Sequence, residues 1–544
     1  MAARDVPLRA HLPASLREYV RSCITIDTRS LALFRMFVGV LVIADLLSRS
    51  RNFHFYYTDD GVIPQDLGQL YAGDSAVSLF FLTQDATLIA ALFVLHAIVA
   101  VFLIVGYKTR LMIVLTFVFV ISLDHHNRLV LSYADTLFRM LLFWAMFLPL
   151  GERWSIDALQ RDRTPRGALA GLATAAILVQ MIFMYFVNGQ NKYPSDRWHS
   201  GDAGPIVFGI DEMTFFLGGF MQNFPAFLTM GARMWFYLLL LSPLLLLLYG
   251  RARYPMWLAV FGGHFSFAIT VRIGAFAYVA MLGLLVFLQP QFWRDVRLLC
   301  VHVGVQSVID AWYRETARLG QYFANRLPAR LIKFPGRDEM MRVSLTVVVF
   351  ISMIGIFVLP GFAMAAEGPY LDEDPFEGTN PIQDVTSAWG VSQPTWSIFA
   401  GPGPRNGDRY YVFPAQTTDG QLFDIYNERP VTFERPGTEL QRQHDAYRER
   451  FFMNSVRRAN HPHSSLHRSY IPYLCEQWET ERGVELEYIS MYTVRERITL
   501  ENFDDPHNRT DIRIEEVGHY DCDGNGVHTS VALPEDYGFP AAVD

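Results

Sequence analysis

The stretch "ATLIAALFVLHAIVAVFLIV", residues 86–105, runs twenty positions without a formally charged side chain. A run of that length matches the hydrocarbon thickness of a bilayer, and only a helix can cross there with its backbone polar groups satisfied. Comparable runs recur along the chain. They predict about nine spans, at roughly 30–48, 85–106, 109–124, 134–150, 167–188, 233–249, 254–271, 274–292 and 341–365; the third, fourth and sixth are the shortest. "FFLGGFMQNFPAFLTM" (Phe215 to Met230) is also apolar, but Gly and Pro interrupt it, so it reads as a re-entrant or interfacial segment. Composition agrees, with 51% hydrophobic and only 18% charged residues in 544. The first span lies too far from the N-terminus, and lacks the cleavage pattern, for a simple signal peptide.

Arginines mark alternate loops: Arg4 to Arg29 before the first span, Lys108 and Arg110, Arg153 to Arg166, Arg251 and Arg253, and Arg294 to Arg337. By the positive-inside rule these loops are cytoplasmic. The predicted order is a cytoplasmic N-terminal segment (1–29), a membrane domain (30–292), a cytoplasmic loop (293–340), a last transmembrane helix (341–365) and an extracytoplasmic domain (366–544). In that last region the apolar runs vanish. "RYYVFPAQ", "QLFDIY" and "ELEYISMYTVRERITL" alternate as strands do, and a helical patch falls around 438–459. The fold class is therefore an α-helical polytopic membrane domain plus a strand-rich α+β domain. Cys475 and Cys522 lie in it, as a disulfide in an oxidising compartment or as two separate thiols. A multi-pass cell-membrane location follows. The net charge of −8 and the absence of a basic patch outside the arginine loops give no footing for nucleic acid. No metal is expected; "HPHSSLH" (His461, His463, His467) fits no standard zinc spacing and reads as a solvated loop.

Ionisable groups inside a bilayer are costly and face partners or polar cavities. Projected by depth, Asp45, Asp135, Arg139, Asn188, Lys192, His264 and Arg272 gather in one half of the membrane, with His96 near mid-depth and Arg35 on the other side. Asp135 and Arg139, four apart, suit an ion pair on one helix face. Arg272 either snorkels to the headgroups or lines a cavity. His264, in "FGGHFSF", is either a satisfied core histidine or a functional one, with Gly262 and Gly263 permitting close backbone approach. Lys192 stands apart. The chain holds three lysines, Lys108, Lys192 and Lys333, and otherwise uses arginine. A guanidinium stays protonated, whereas a desolvated amine can act as a base.

Four blocks carry a family resemblance. "FHFYYTDDGVIP" resembles a Tyr-Thr/Ser-Asp-x-Gly-x-x-Pro signature. "DTLFRMLLFWAMFLPLGERWSID" resembles a helix block ending in Trp-Ser-x-Asp. "YFVNGQNKYPSDRWHSG" resembles a Tyr-Phe-x-x-Gly-x-x-Lys block, and "GGHFSFAITVRIGAFAYVAML" a later His…Gly-x-Phe block. In this order they are similar to the HTTM domain, the membrane domain shared with vitamin K-dependent gamma-carboxylase, over about residues 20–300. "QPTWSIFAGPGPRNGDRYYVFPAQTTDGQLFDI" resembles the Trp-x-x-Phe…Pro…Asp-Gly segment that follows the domain in prokaryotic members.

The resemblance implies a carboxy-lyase. Lys192 matches the amine that deprotonates reduced vitamin K, or menaquinone in a prokaryote, so that a glutamate of a peptide or protein substrate on the outer face takes up carbon dioxide. Lys192 is the catalytic residue it marks, and His264 stands beside it as the second catalytic candidate. The chain departs from the family at Tyr133-Ala134-Asp135, where an Asn-His pair is the pattern and alanine replaces the histidine. Two other readings stand beside this one: a membrane factor for maturation or export of a secreted peptide without carboxylation, and a non-enzymatic membrane or transport protein.

Overall fold

A computed structural model describes residues 14–74, 76–329, 337–367, 381–399, 403–437, 440–444, 446–459, 464–522 and 531–537. The helix Ala86–Val105 shows how the apolar runs fold. Asp85 caps its first turn by accepting from the Leu88 amide at 2.9 Å, and Gly106, at φ +71°, turns the chain out of it. A third of its most apolar window is buried, whereas 72% is buried in the next helix, Thr109–His126. The first therefore lies at the rim of the bundle and the second inside it.

Five of the nine expected spans are helices long and apolar enough to cross a membrane: Thr28–Ser50, Ala86–Val105, Thr109–His126, Leu172–Lys192 and Val343–Met364. A sixth arises if Phe276–Phe287 and Pro290–His302 are counted together, but they meet at 98°. The expected spans 134–150, 233–249 and 254–271 correspond to helices of 13, 16 and 17 residues, Tyr133–Ala145, Pro225–Leu240 and Tyr254–Thr270. The apolar segment 215–230 divides into a short helix, Gly218–Gln222, and the start of the helix Pro225–Leu240, which its proline opens.

The arginine-bearing loops meet at one end of the bundle. Arg253 donates to the carbonyls of Cys23 (2.7 Å), Leu248 (2.8 Å) and Phe287 (3.2 Å). Arg35 does the same for Ile104, Leu150, Arg153 and Trp154. Buried Glu152 gathers Arg163 (2.8 Å) and Arg166 (3.0 Å). These cations satisfy carbonyls that helix ends leave free, so they hold the end together as well as carrying charge.

The C-terminal region packs on the opposite end. Its six-stranded antiparallel sheet is built around Leu486–Arg497. One edge of that strand pairs with Gly407–Val412 and Pro414–Thr417, and the other with Ile512–Asp521; Leu422–Asp424 and Arg429–Pro430 extend the sheet. The three strand stretches read from the sequence are all present. Tyr410 and Val412 face one apolar cluster, while Tyr411 and Phe413 join the core that continues into the bundle, so both faces are covered. The helical patch is Tyr447–Arg458, followed by an unexpected helix, Ser465–Arg482. Cys475 and Cys522 form a disulfide that ties this helix to the end of the outer strand. His461 and His463 lie outside the described residues; His467 is buried, bonded to the Val456 carbonyl at 2.9 Å and to the Tyr520 hydroxyl at 2.5 Å.

Ion pairs lock the region to the bundle. Asp408 accepts from the amides of Asp211 (3.0 Å) and Glu212 (3.1 Å), and Arg435 bonds Asp211 at 2.6 Å.

Candidate functional site

The helix Leu172–Lys192 ends where Pro194 forbids its continuation, which leaves Lys192 as its last residue. Lys192 is buried at 1% exposure. Its Nζ donates to Asn188 Oδ1, one turn back, at 3.0 Å and to the Ile398 carbonyl at 2.5 Å, and it sits 4.8 Å from the centre of the Trp198 ring. Among the described residues it has no carboxylate partner. Asp196, the nearest acid in sequence, is exposed and opens the next short helix, as its separation by Pro194 leads one to expect.

Ile398 belongs to a strap, Gln393–Phe399, which returns from beyond the last spanning helix and lies along Leu172–Lys192. Asn188 donates to the Trp396 carbonyl and Asn191 to the Thr395 carbonyl, both at 2.5 Å. Gln393 Nε2 donates to Gln180 Oε1 at 3.1 Å, and the Trp396 indole donates to Gln393 Oε1 at 2.8 Å. Trp396 is fully buried, and Trp396 and Phe399 hold φ of +51° and +64°, a region that bulky side chains seldom adopt. The strap is the Trp-x-x-Phe block noted in the sequence.

Lys192 and Asn188 open into a cavity of about 360 Å³ between the helices Leu172–Lys192, Pro225–Leu240 and Tyr254–Thr270. Its walls are overwhelmingly apolar. Phe227, Met234 and Leu258 line it and are also exposed, so its side wall reaches the outer apolar surface of the bundle. His264 lines the cavity at 1% exposure; its Nε2 meets the Tyr185 hydroxyl at 2.9 Å, and its Nδ1 has no hydrogen-bond partner among the described residues. Gly263 permits the close packing expected, since a Cβ there would fall 2.4 Å from the Trp235 ring, while Gly262 faces open space. Of the polar residues projected to this half of the membrane, Asn188, Lys192 and His264 line the cavity; no described residue of 134–150, Arg139 included, does.

Asp135 and Arg139 do not pair with each other. Asp135 caps its own helix through Ser132 (2.7 Å to the amide) and reaches Arg448 of the C-terminal region at 2.9 Å. Arg139 bonds Asp124 at 2.6 Å and the Gly390 carbonyl at 3.0 Å. Asp124 in turn holds Arg49 at 2.8 Å, and Arg49 bonds Asp45 at 2.7 Å. Asp45 also bonds Arg448. Arg139 turns from Asp135 to the better-buried Asp124, and Asp135 meets Arg448 of the C-terminal region instead. Of these, Arg49, Asp124 and Arg448 had not been singled out. A second cavity of about 290 Å³ lies at this network, lined by Asp45, Asp135, Arg448 and Ala134. The turn after Tyr254–Thr270 partitions the two: Ile273 and Phe276 face the Lys192 side, Gly274 and Ala275 the other.

Arg272, in the same turn, is half-buried and lies within electrostatic reach of Tyr447, Glu449 and Arg450. These neighbours all belong to the C-terminal region. Nearby, His444 accepts or donates a hydrogen bond to Tyr426 at 2.9 Å. Burial, with Arg450 and Arg272 adding repulsion, pushes its pKa down to about 3. His96 is buried against Phe119, ring centres 4.9 Å apart, away from both cavities.

Among the described residues, no group of three or more His, Cys, Asp or Glu could hold a metal ion. No curated protein and no solved structure matches the chain. The family model of the HTTM domain matches residues 24–293, which span every bundle residue of the Lys192 cavity. The chain is a membrane protein whose segment 24–293 matches the HTTM domain.

Proposed function

We propose that this chain is a vitamin K-dependent gamma-carboxylase-like enzyme of the cell membrane, crossing it several times, with a cytoplasmic N-terminus and an extracytoplasmic C-terminal region. Lys192 is the base, a reduced quinone of the vitamin K or menaquinone type is the lipid-borne co-substrate, and a glutamate of a peptide or protein is the group modified. The observation that carries the reading is a buried amine, without a carboxylate partner among the described residues, facing an apolar cavity whose wall reaches the outer apolar surface of the bundle.

The residues fit such a ring. The volume and apolar walls suit a flat hydrophobic ligand with few polar groups. The unpartnered Nδ1 of His264 supplies a polar contact that a ring hydroxyl would satisfy. When bound, the reduced quinone supplies, with oxygen, the strong base that a lysine alone cannot. The chain's own part is proton handling. A neutral amine has two hydrogens, and Asn188 Oδ1 and the Ile398 carbonyl accept both, which leaves the lone pair free. On protonation the cation lies beside the Trp198 face, where the ring quadrupole favours it. Tyr185 fixes the His264 ring.

A second reading is favoured by Ala134, which stands where the family pattern has histidine and lines the other cavity: maturation of a secreted peptide without carboxylation. Co-expression of the chain with candidate peptides, followed by intact-mass analysis, separates the two. Added carboxyl groups that vanish in Lys192→Arg support the first. Processed peptide without added mass supports the second. Full activity in Lys192→Arg refutes a base at 192, because a guanidinium does not give up its proton.

A further inference from the structure

The chain leaves the apolar helix Phe276–Phe287 and turns through 98° into Pro290–His302, then continues as the helix Gln306–Ala324. A turn near a right angle at the end of a spanning direction sends the chain along the membrane plane. The first of the two helices has no buried residue and the second has only Ala324. Yet both carry large apolar side chains. On Gln306–Ala324, Val308, Trp312, Leu319 and Phe323 fall within one arc of roughly 60° at 100° per residue. All four are exposed, Trp312 at 72% and Val308 at 68%. Asp310, Arg314, Arg318 and Gln321 occupy the opposite arc.

The level of this surface is fixed by its anchors. Gln160 donates to the carbonyls of Ala324 (2.9 Å) and Leu327 (3.0 Å), and Ala324 clusters with Tyr107 and Ile156. Tyr107 lies in the turn that ends Ala86–Val105, the rim helix whose exposed side chains include Phe102 and Val105. Trp293 is pinned to Ser30 at 2.9 Å and Asp295 to Arg251 at 2.6 Å, at the first turn of another span and beside the end where the arginines gather. The apolar arc is thus continuous with the lipid-facing belt, at the depth where spans end.

We propose that residues 290–324 form an interfacial amphipathic pair that lies in the membrane surface at the arginine end and binds anionic lipid. The apolar arc inserts among the acyl chains at the headgroup boundary, Trp312 sits at headgroup level as an amphipathic aromatic does, and Arg297, Arg314 and Arg318 meet lipid phosphates. A water-exposed role is disfavoured by Trp312 and its neighbours, which would form one apolar patch in solvent. The inference does not rest on the reaction at Lys192.

The test uses the full chain in nanodiscs, with Cys23→Ser and Cys300→Ser as background. Single Trp312→Cys and Asp310→Cys variants carry a nitroxide label. In discs of phosphatidylcholine with phosphatidylglycerol, the 312 label is relaxed more by dissolved oxygen than by a water-soluble nickel chelate, and the 310 label shows the reverse. Removing phosphatidylglycerol lowers the oxygen-to-nickel ratio at 312 by about threefold, and Arg314→Gln with Arg318→Gln lowers it as much in anionic discs. Equal nickel access at both labels overturns the proposal. So does a 312 label shielded from both reagents, which means that a protein surface covers the face. A ratio indifferent to phosphatidylglycerol overturns the anionic part.

Discussion

Replacing Asp124 by asparagine removes the charge at the centre of the buried ion network. Asp124 is 1% exposed and accepts from Arg49 at 2.8 Å and from Arg139 at 2.6 Å. Arg49 keeps Asp45, Asp135 and the Tyr57 hydroxyl (3.0 Å). Arg139 keeps the Gly390 carbonyl and Thr136 but no carboxylate among the described residues. The dominant loss is therefore one buried ion pair. Two unit charges about 4 Å apart attract by about 4 kcal/mol at an effective dielectric constant near 20. Breaking one buried pair commonly costs about 3–5 kcal/mol. We expect Asp124→Asn to lower the thermal unfolding midpoint in detergent by about 5–10 °C. Asp45→Asn, whose side chain is 32% exposed, should lose less than about 1 kcal/mol. Combining Asp124→Leu with Arg139→Leu should recover most of the loss, because no uncompensated charge remains. An Asp124→Asn midpoint within about 1 °C of wild type, or equal damage from Asp45→Asn, would refute the assignment of Asp124 as the buried hub.

Protonation of His444 gives a pH dependence. Its pKa is about 3 folded against 6.5 as the reference value, so the unfolded chain binds the extra proton. Stability is complete above about pH 6.5 and falls by up to about 1.4 kcal/mol per pH unit as pH drops toward 3; His444→Asn should flatten that slope in acid-unfolding curves. Gly274→Ala should both strain a backbone at φ +60° and drive a methyl to 2.2 Å from the Tyr447 ring, and a stable, fully folded variant by thermal melt would contradict the packing at the partition. Reducing the Cys475–Cys522 bond, which closes a separation of 47 residues, should destabilise the C-terminal region by roughly 4 kcal/mol, visible as faster proteolysis of that region. Lys192→Arg should fold like wild type and lose any glutamate modification, as measured by peptide mass.

Lys192 was legible because it breaks the chain's own habit of using arginine, and His264 because it interrupts an apolar run beside two glycines. Depth placed both in the same half of the membrane, but it placed Asp45 and Asp135 there too, and those line the other cavity. The ionic network was not legible in the same way. The spacing of Asp135 and Arg139 satisfies a helix rule, but the actual partners, Asp124 and Arg448, lie 15 and 313 residues away. Long-range pairing among many similar arginines leaves no local trace. The helix Tyr133–Ala145 was also misjudged in length, because apolar content continues past its end to Leu150, whereas Tyr254–Thr270 stops within one residue of the expected end. The strap's contact with Lys192 was equally hidden: its motif was visible, its destination was not.

That destination has a consequence for how the protein is made. Lys192 and Ile398 are separated by 206 residues. At about 5–20 residues per second of synthesis, roughly 10–40 s pass between the emergence of the amine and of the carbonyl that accepts from it. For most of that interval the last spanning helix, Val343–Met364, has not been made, and throughout it the cavity lacks its strap. The nascent bundle must therefore enter the membrane with an incomplete pocket and finish it by threading a later segment back along a helix already in place. Assembly of the site thus waits until the last spanning helix has been made, and the strand-rich region follows it. A ribosome stalled, or a chain cut, before residue 393 would yield an inserted membrane domain in which the proposed chemistry has never been switched on.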